Sequence, residues 1–148
     1  MYEFVDRHPA SLSNSGRLVL WAMRGWSEST ARKSCPPLAL YRGFSRVGAG
    51  GAVHDFHTAS TSLHGDALAP FTIAPMKSCS ISEDEAMLLA LWRGVALEDS
   101  DLVAGTLKLL VKPEAILTIA RSMSGCSEQL KLAGLDLSQP LPLRESLP

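Results

Sequence analysis

The chain has 148 residues, 46% of them hydrophobic and 20% charged, which excludes a disordered chain and suits one domain with a sizeable core. Net charge is −1 with a pI near 6.4, which argues against a constitutive nucleic-acid binder. The charge is unevenly spread: +4 over residues 1–50, −4 over 51–112 and −1 over 113–148.

Residues 1–12 read as an irregular lead-in, with Pro9 and Ser11 favouring a turn, and no apolar stretch of signal-peptide type. Ser13, Asn14 and Ser15 offer N-caps for a first helix through about Trp26, with Leu18, Trp21 and Ala22 on one face and Val19 and Trp26 at its margins. Residues 27–34 read as a polar connection. Pro36-Pro37 starts a second helix, since a first-turn proline lacks only an N–H that has no helical partner. Its strips are Leu38, Tyr41, Ser45 and Leu40, Phe44, Val47, and Gly48-Ala49-Gly50-Gly51 ends it.

Ala52 to His64 predicts a third helix, stopped by Gly65 in a left-handed cap. At 100° per residue Ala52, Val53, Phe56, Ala59 and Leu63 share one side, and His54, His57, Thr61 and His64 an adjoining arc. Phe71-Thr72-Ile73 reads as a short extended piece. Ser82 and Glu85 then form a capping box, three acids oppose the helix dipole, and Ala86 to Trp92 carries no charge. This central helix runs to Arg93 with Gly94 as its stop, and pairs with a helix over Asp101 to Val111 capped by Asp99 or Ser100. Leu102, Val103, Thr106, Leu107 and Leu110 are expected to face inward. Glu114 to Met123 follows Pro113, Gly125 breaks it, and Ser127 caps a last short helix ending at Gly134. The proline-bearing segment from Ser138 reads as an extended or disordered tail.

The expectation is a compact all-α bundle of five to seven short helices: lead-in 1–12, helical domain 13–137, tail 138–148. No run reaches the ~18 apolar residues of a membrane span. Cys35, Cys79 and Cys126 form no CxxC and fit reduced thiols in a soluble cytoplasmic protein.

Three sets of residues carry chemistry. His54 and His57 make an HxxH pair on one helix face, to which Cys79 or Cys35 adds a sulfur if the fold brings it near; that is a zinc-type ligand set, against the plainer reading of a solvated helix flank. Cys79 lies three residues before a helix N-cap beside Lys77, the setting of a reactive thiolate. Arg17, Arg24, Arg32, Lys33, Arg42 and Arg46 interleave with Trp21, Trp26, Tyr41 and Phe44, as on an RNA or phosphate surface, or as arginines lying over a core. HExxH, a P-loop and GxSxG are all missing, so nothing marks an enzyme.

Ile73-Ala74-Pro75, Cys79, Ser82-Glu83-Asp84-Glu85-Ala86 and Leu88-Leu89 resemble a segment of a small uncharacterised bacterial all-helical family. Its members carry IAP, clustered cysteines, a Pro-Arg-Met-Thr and an acidic capped helix. Pro37-Leu38-Ala39-Leu40-Tyr41-Arg42 is similar to their Pro-Leu-x-Leu-Leu-Arg helix. The resemblance covers roughly residues 17–124, departs at the cysteine cluster by keeping Cys79 alone, and implies a helical fold without an activity.

The leading expectation is therefore a non-catalytic intracellular interaction or regulatory module, with a protein partner or a second copy covering apolar surface left over by the central helices. Its contrary is that the domain's own helices cover that surface. The alternatives are a metal- or thiol-dependent protein using His54, His57 and Cys79, and RNA or phosphate binding by the basic half.

Overall fold

The computed structural model describes residues 3–141, and all six helices found among them belong to one bundle. They are α1 (Asn14–Ala31), α2 (Pro36–Arg46), α3 (Val53–Gly65), α4 (Glu83–Ala96), α5 (Ser100–Leu110) and α6 (Ile116–Leu132). Short 3-10 turns precede α1, α3 and α6. The described residues contain no strand; one isolated antiparallel bridge joins Ala67 to Val111. No described helix is long and apolar enough to cross a membrane.

Local chemistry explains most boundaries. Ser13 caps α1 through Gly16 N–H, Asp99 caps α5 through Leu102 N–H, and prolines open α2. Ser82 and Glu85 complete the expected capping box at α4. Four helices end in the same double hydrogen bond, from the residue after the cap and the one beyond it back to the last turn. Gly48 and Gly134 take the left-handed position of two of them, and Lys33 (φ 57°) and Glu98 (φ 56°) the other two.

Several expected stops are not stops. α1 continues past Trp26 to Ala31, so Ser29 is buried inside it rather than part of a polar link. Gly65 stays helical without a left-handed φ. Gly94 and Gly125 lie inside helices, where a Cβ would collide with Leu102 and Asp55 respectively. Both glycines let a neighbouring side chain come close, and α6 therefore runs unbroken through Ser127. Leu102 is 48% exposed, against an expected inward position.

The core is as the α3 and α4 patterns require. Val53, Phe56, Ala59 and Leu63 are buried, as are Leu88, Leu89, Leu91 and Trp92. Phe44, Phe56 and Trp92 form an aromatic chain across α2, α3 and α4, with centroids 5.8 and 5.7 Å apart, the second pair stacked at 9°. α3 and α6 pack along most of their length, while α4 meets α1, α5 and α6. α4 is thus covered by its own domain, whereas its hairpin partner α5 leaves Leu102 and Leu109 exposed, at 48% and 78%.

The lead-in is irregular yet anchored: Phe4 is fully buried, and Asp6 and Arg7 pair through their backbones with Ile81. Ser138 to Leu141 lie against the start of α1, where Ser13 N–H donates to Pro140 O and Ser13 Oγ to Gln139 O. Residues 142–148 of the expected tail fall outside the described residues.

The connection from α3 to α4 has few backbone partners of its own. It is held by Arg24 and Glu85, 2% and 0% exposed. Arg24 Nε donates to Glu85 Oε2 at 2.8 Å and Nη2 to Oε1 at 3.0 Å. The same guanidinium donates to the carbonyl oxygens of Ser78 and Ser80, while Glu85 accepts from Ala74 N–H and Ser82 N–H. Removing one member leaves a buried charge uncompensated, so Arg24→Met is expected to cost about 3–5 kcal/mol. Arg24→Met with Glu85→Gln is expected to cost less, since no buried charge remains and the amide oxygen still accepts from Ser82. Urea denaturation of both variants checks this order.

Candidate functional site

The histidine arc of α3 faces the C-terminal half of α1. Apolar spacing turns Val53, Phe56 and Ala59 into the core, which leaves His57 and His64 at its edge against Trp26. Trp26 Nε1 donates to His57 Nδ1 at 3.0 Å, fixing the neutral tautomer that carries its proton on Nε2. His64 stacks on Trp26 with centroids 4.7 Å apart and 22° between planes, and meets Phe71 edge-on at 5.3 Å. Burial lowers the pKa of His57, helped by the neighbouring charge of His54, and burial also lowers that of His64.

Beside these rings lies an open cleft of about 530 Å³, bordered also by Thr30, Lys33, Ser34 and Pro36. The sequence pointed to the histidines through their shared arc. It did not show Trp26 between them, because the α1 face is rotated from the expected one: Val19, Ala22, Met23 and Trp26 are buried and Leu18 and Trp21 only partly.

The proposed zinc set is not assembled. His54 is exposed, His57 has its Nδ1 committed to Trp26, and Cys79 is exposed on the loop before α4. Among the described residues no three His, Cys, Asp or Glu side chains are placed to hold a metal ion. The Cys79 thiol points at Lys77 O, 4.0 Å away, rather than at a base, and the α4 N-terminus is already occupied by its capping box. Cys35 is exposed and Cys126 buried, and burial, with Asp55 nearby, pushes the Cys126 thiol far up.

The basic set divides. Arg24 is buried in the ion pair and is no surface residue. Arg17 is exposed and bonds Asn14 one turn away. Arg32, Lys33, Arg42 and Arg46 are exposed around α2, and the two ion pairs found among the described residues, Arg24–Glu85 and Arg93–Glu3, include none of them. Of the two α2 strips, Leu40 and Phe44 are buried, while Leu38 is 77% and Tyr41 58% exposed.

No family model, curated protein or solved structure matches the chain.

Two outcomes follow from these positions. Both imidazoles have folded pKa values below the unfolded one, so the unfolded chain binds more protons as pH falls through about 6.5. Stability is expected to drop from pH 7 to pH 5, and His64→Phe to flatten that drop, as read by thermal melts across the range. Iodoacetamide is expected to label Cys35 and Cys79 in the native protein and Cys126 only after unfolding, as peptide mass spectrometry will show.

Proposed function

We propose that the chain is a non-catalytic, intracellular helical interaction module that docks an acidic amphipathic segment of a partner protein on the outer side of α2. The observation that carries this reading is the make-up of that side. Leu38 and Tyr41 stand in solvent one turn apart. Residues 30–47 carry Arg32, Lys33, Arg42 and Arg46 and no acid, and each of the four cations is exposed.

An apolar ridge rimmed by one sign of charge fits a helix bearing apolar residues on one face and carboxylates beside them. Three free thiols support an intracellular setting. The resemblance to a small bacterial helical family belongs to the same proposal and adds no activity to it. RNA is the competing ligand for these cations; the apolar ridge between them favours protein.

Benzoylphenylalanine placed at position 41 tests the reading by photocrosslinking in cells. The expected product joins position 41 to an acidic amphipathic peptide, with none from a control at the exposed α6 position Glu128. Arg42→Glu with Arg46→Glu is expected to lower the yield at least tenfold, roughly the effect of 1.4 kcal/mol. A crosslink to RNA, to a second copy, or to a peptide without acids would overturn it, as would a yield indifferent to charge reversal.

A further inference from the structure

The cleft beside α3 is separate from the outer face of α2, and its lining is of a different kind. Its wall is aromatic: the indole of Trp26, itself 6% exposed, and the His64 ring stacked on it. Apart from the His64 ring, its polar side chains are hydrogen-bond donors or hydroxyls. His57 carries its proton on Nε2 because Nδ1 accepts from Trp26, Lys33 brings an ammonium, and Thr30, Ser34 and Thr61 bring hydroxyls. Among the described residues no carboxylate lines it. The volume of about 530 Å³ is that of a small-molecule site rather than a macromolecular one.

Lys33 occupies its place against a backbone preference. It follows the α1 cap in the left-handed conformation, where the ends of α2 and α6 use Gly48 and Gly134 and that of α4 uses Glu98. Glycine holds that conformation without the steric cost a lysine bears, so stability alone favours glycine here. What the lysine adds is a cation at the rim of the cleft.

We propose that this cleft binds a small planar aromatic carboxylate, its ring against Trp26 and His64 and its carboxylate accepting from His57 Nε2–H and the Lys33 ammonium. Charge-assisted hydrogen bonds select the anion, and stacking selects the ring. The carboxylate holds its two donors by geometry alone, and no bond is made or broken.

Benzoate is the probe, with benzamide (the ring without the charge) and acetate (the charge without the ring) beside it. The readout is the NMR signals of the Trp26 indole N–H and the His57 and His64 ring C–H groups in the full chain at pH 7.5. Saturable shifts with benzoate are expected at a Kd on the order of 1 mM or tighter, the range a fragment of this size reaches. Benzamide and acetate are expected to bind at least tenfold more weakly. Lys33→Gly keeps the left-handed turn and is expected to melt at or above the wild-type temperature while losing benzoate affinity at least fivefold. His57→Gln is expected to weaken benzoate as well. No saturable shift, equal shifts with benzamide or acetate, or unchanged affinity in a folded Lys33→Gly would overturn the proposal.

Discussion

Arg24 and Glu85 form the interaction on which the rest of the arrangement depends. A guanidinium and a carboxylate out of water cost several kcal/mol each, and the pair stands because every polar edge has a partner. Arg24 meets both carboxylate oxygens and the Ser78 and Ser80 carbonyls; Glu85 meets Arg24, Ala74 N–H and Ser82 N–H. One buried network therefore joins the middle of α1, the first turn of α4 and the connection wound between them. That connection carries Phe71, whose edge closes against His64, and Ile81, to which the lead-in pairs.

The two proposed surfaces follow from how the helices use their faces around this network. α1 directs Arg24 toward α4, which brings Trp26 to the histidine arc of α3 and leaves the α1 C-terminus to turn through Lys33. α2 has only Leu40 and Phe44 to offer the core, so the opposite strip, Leu38 and Tyr41, remains in water. The docking face and the cleft thus lie on either side of one short connection, residues 33–35. They meet at Lys33 and otherwise use different residues: Leu38, Tyr41, Arg42 and Arg46 for the partner, Trp26, His57 and His64 for the small ligand.

Much of the fold was legible because local rules and burial agree. The Ser82–Glu85 box, the Pro36 start and the phase of Phe56 against the histidines are each set by neighbouring residues. What was not legible depends on contacts distant in sequence. Gly94 and Gly125 read as breakers, yet each is the seat of a side chain from another helix, which no local pattern encodes. Arg24 read as part of a basic surface because its acid lies 61 residues away. A separation of 31 residues likewise hid Trp26 from His57. The zinc set failed for a related reason: spacing puts two imidazoles on one arc, but only the fold decides whether a third ligand arrives, and here an indole takes the nitrogen instead.

Amide hydrogen exchange at Ala74 and Ser82 tests the central role of the ion pair most directly. Both N–H groups sit outside helices and donate to the buried carboxylate of Glu85, so the account predicts exchange as slow as that of the α4 interior, reached only through global unfolding. Exchange at the rate of an ordinary loop amide, with α4 still protected, would contradict it.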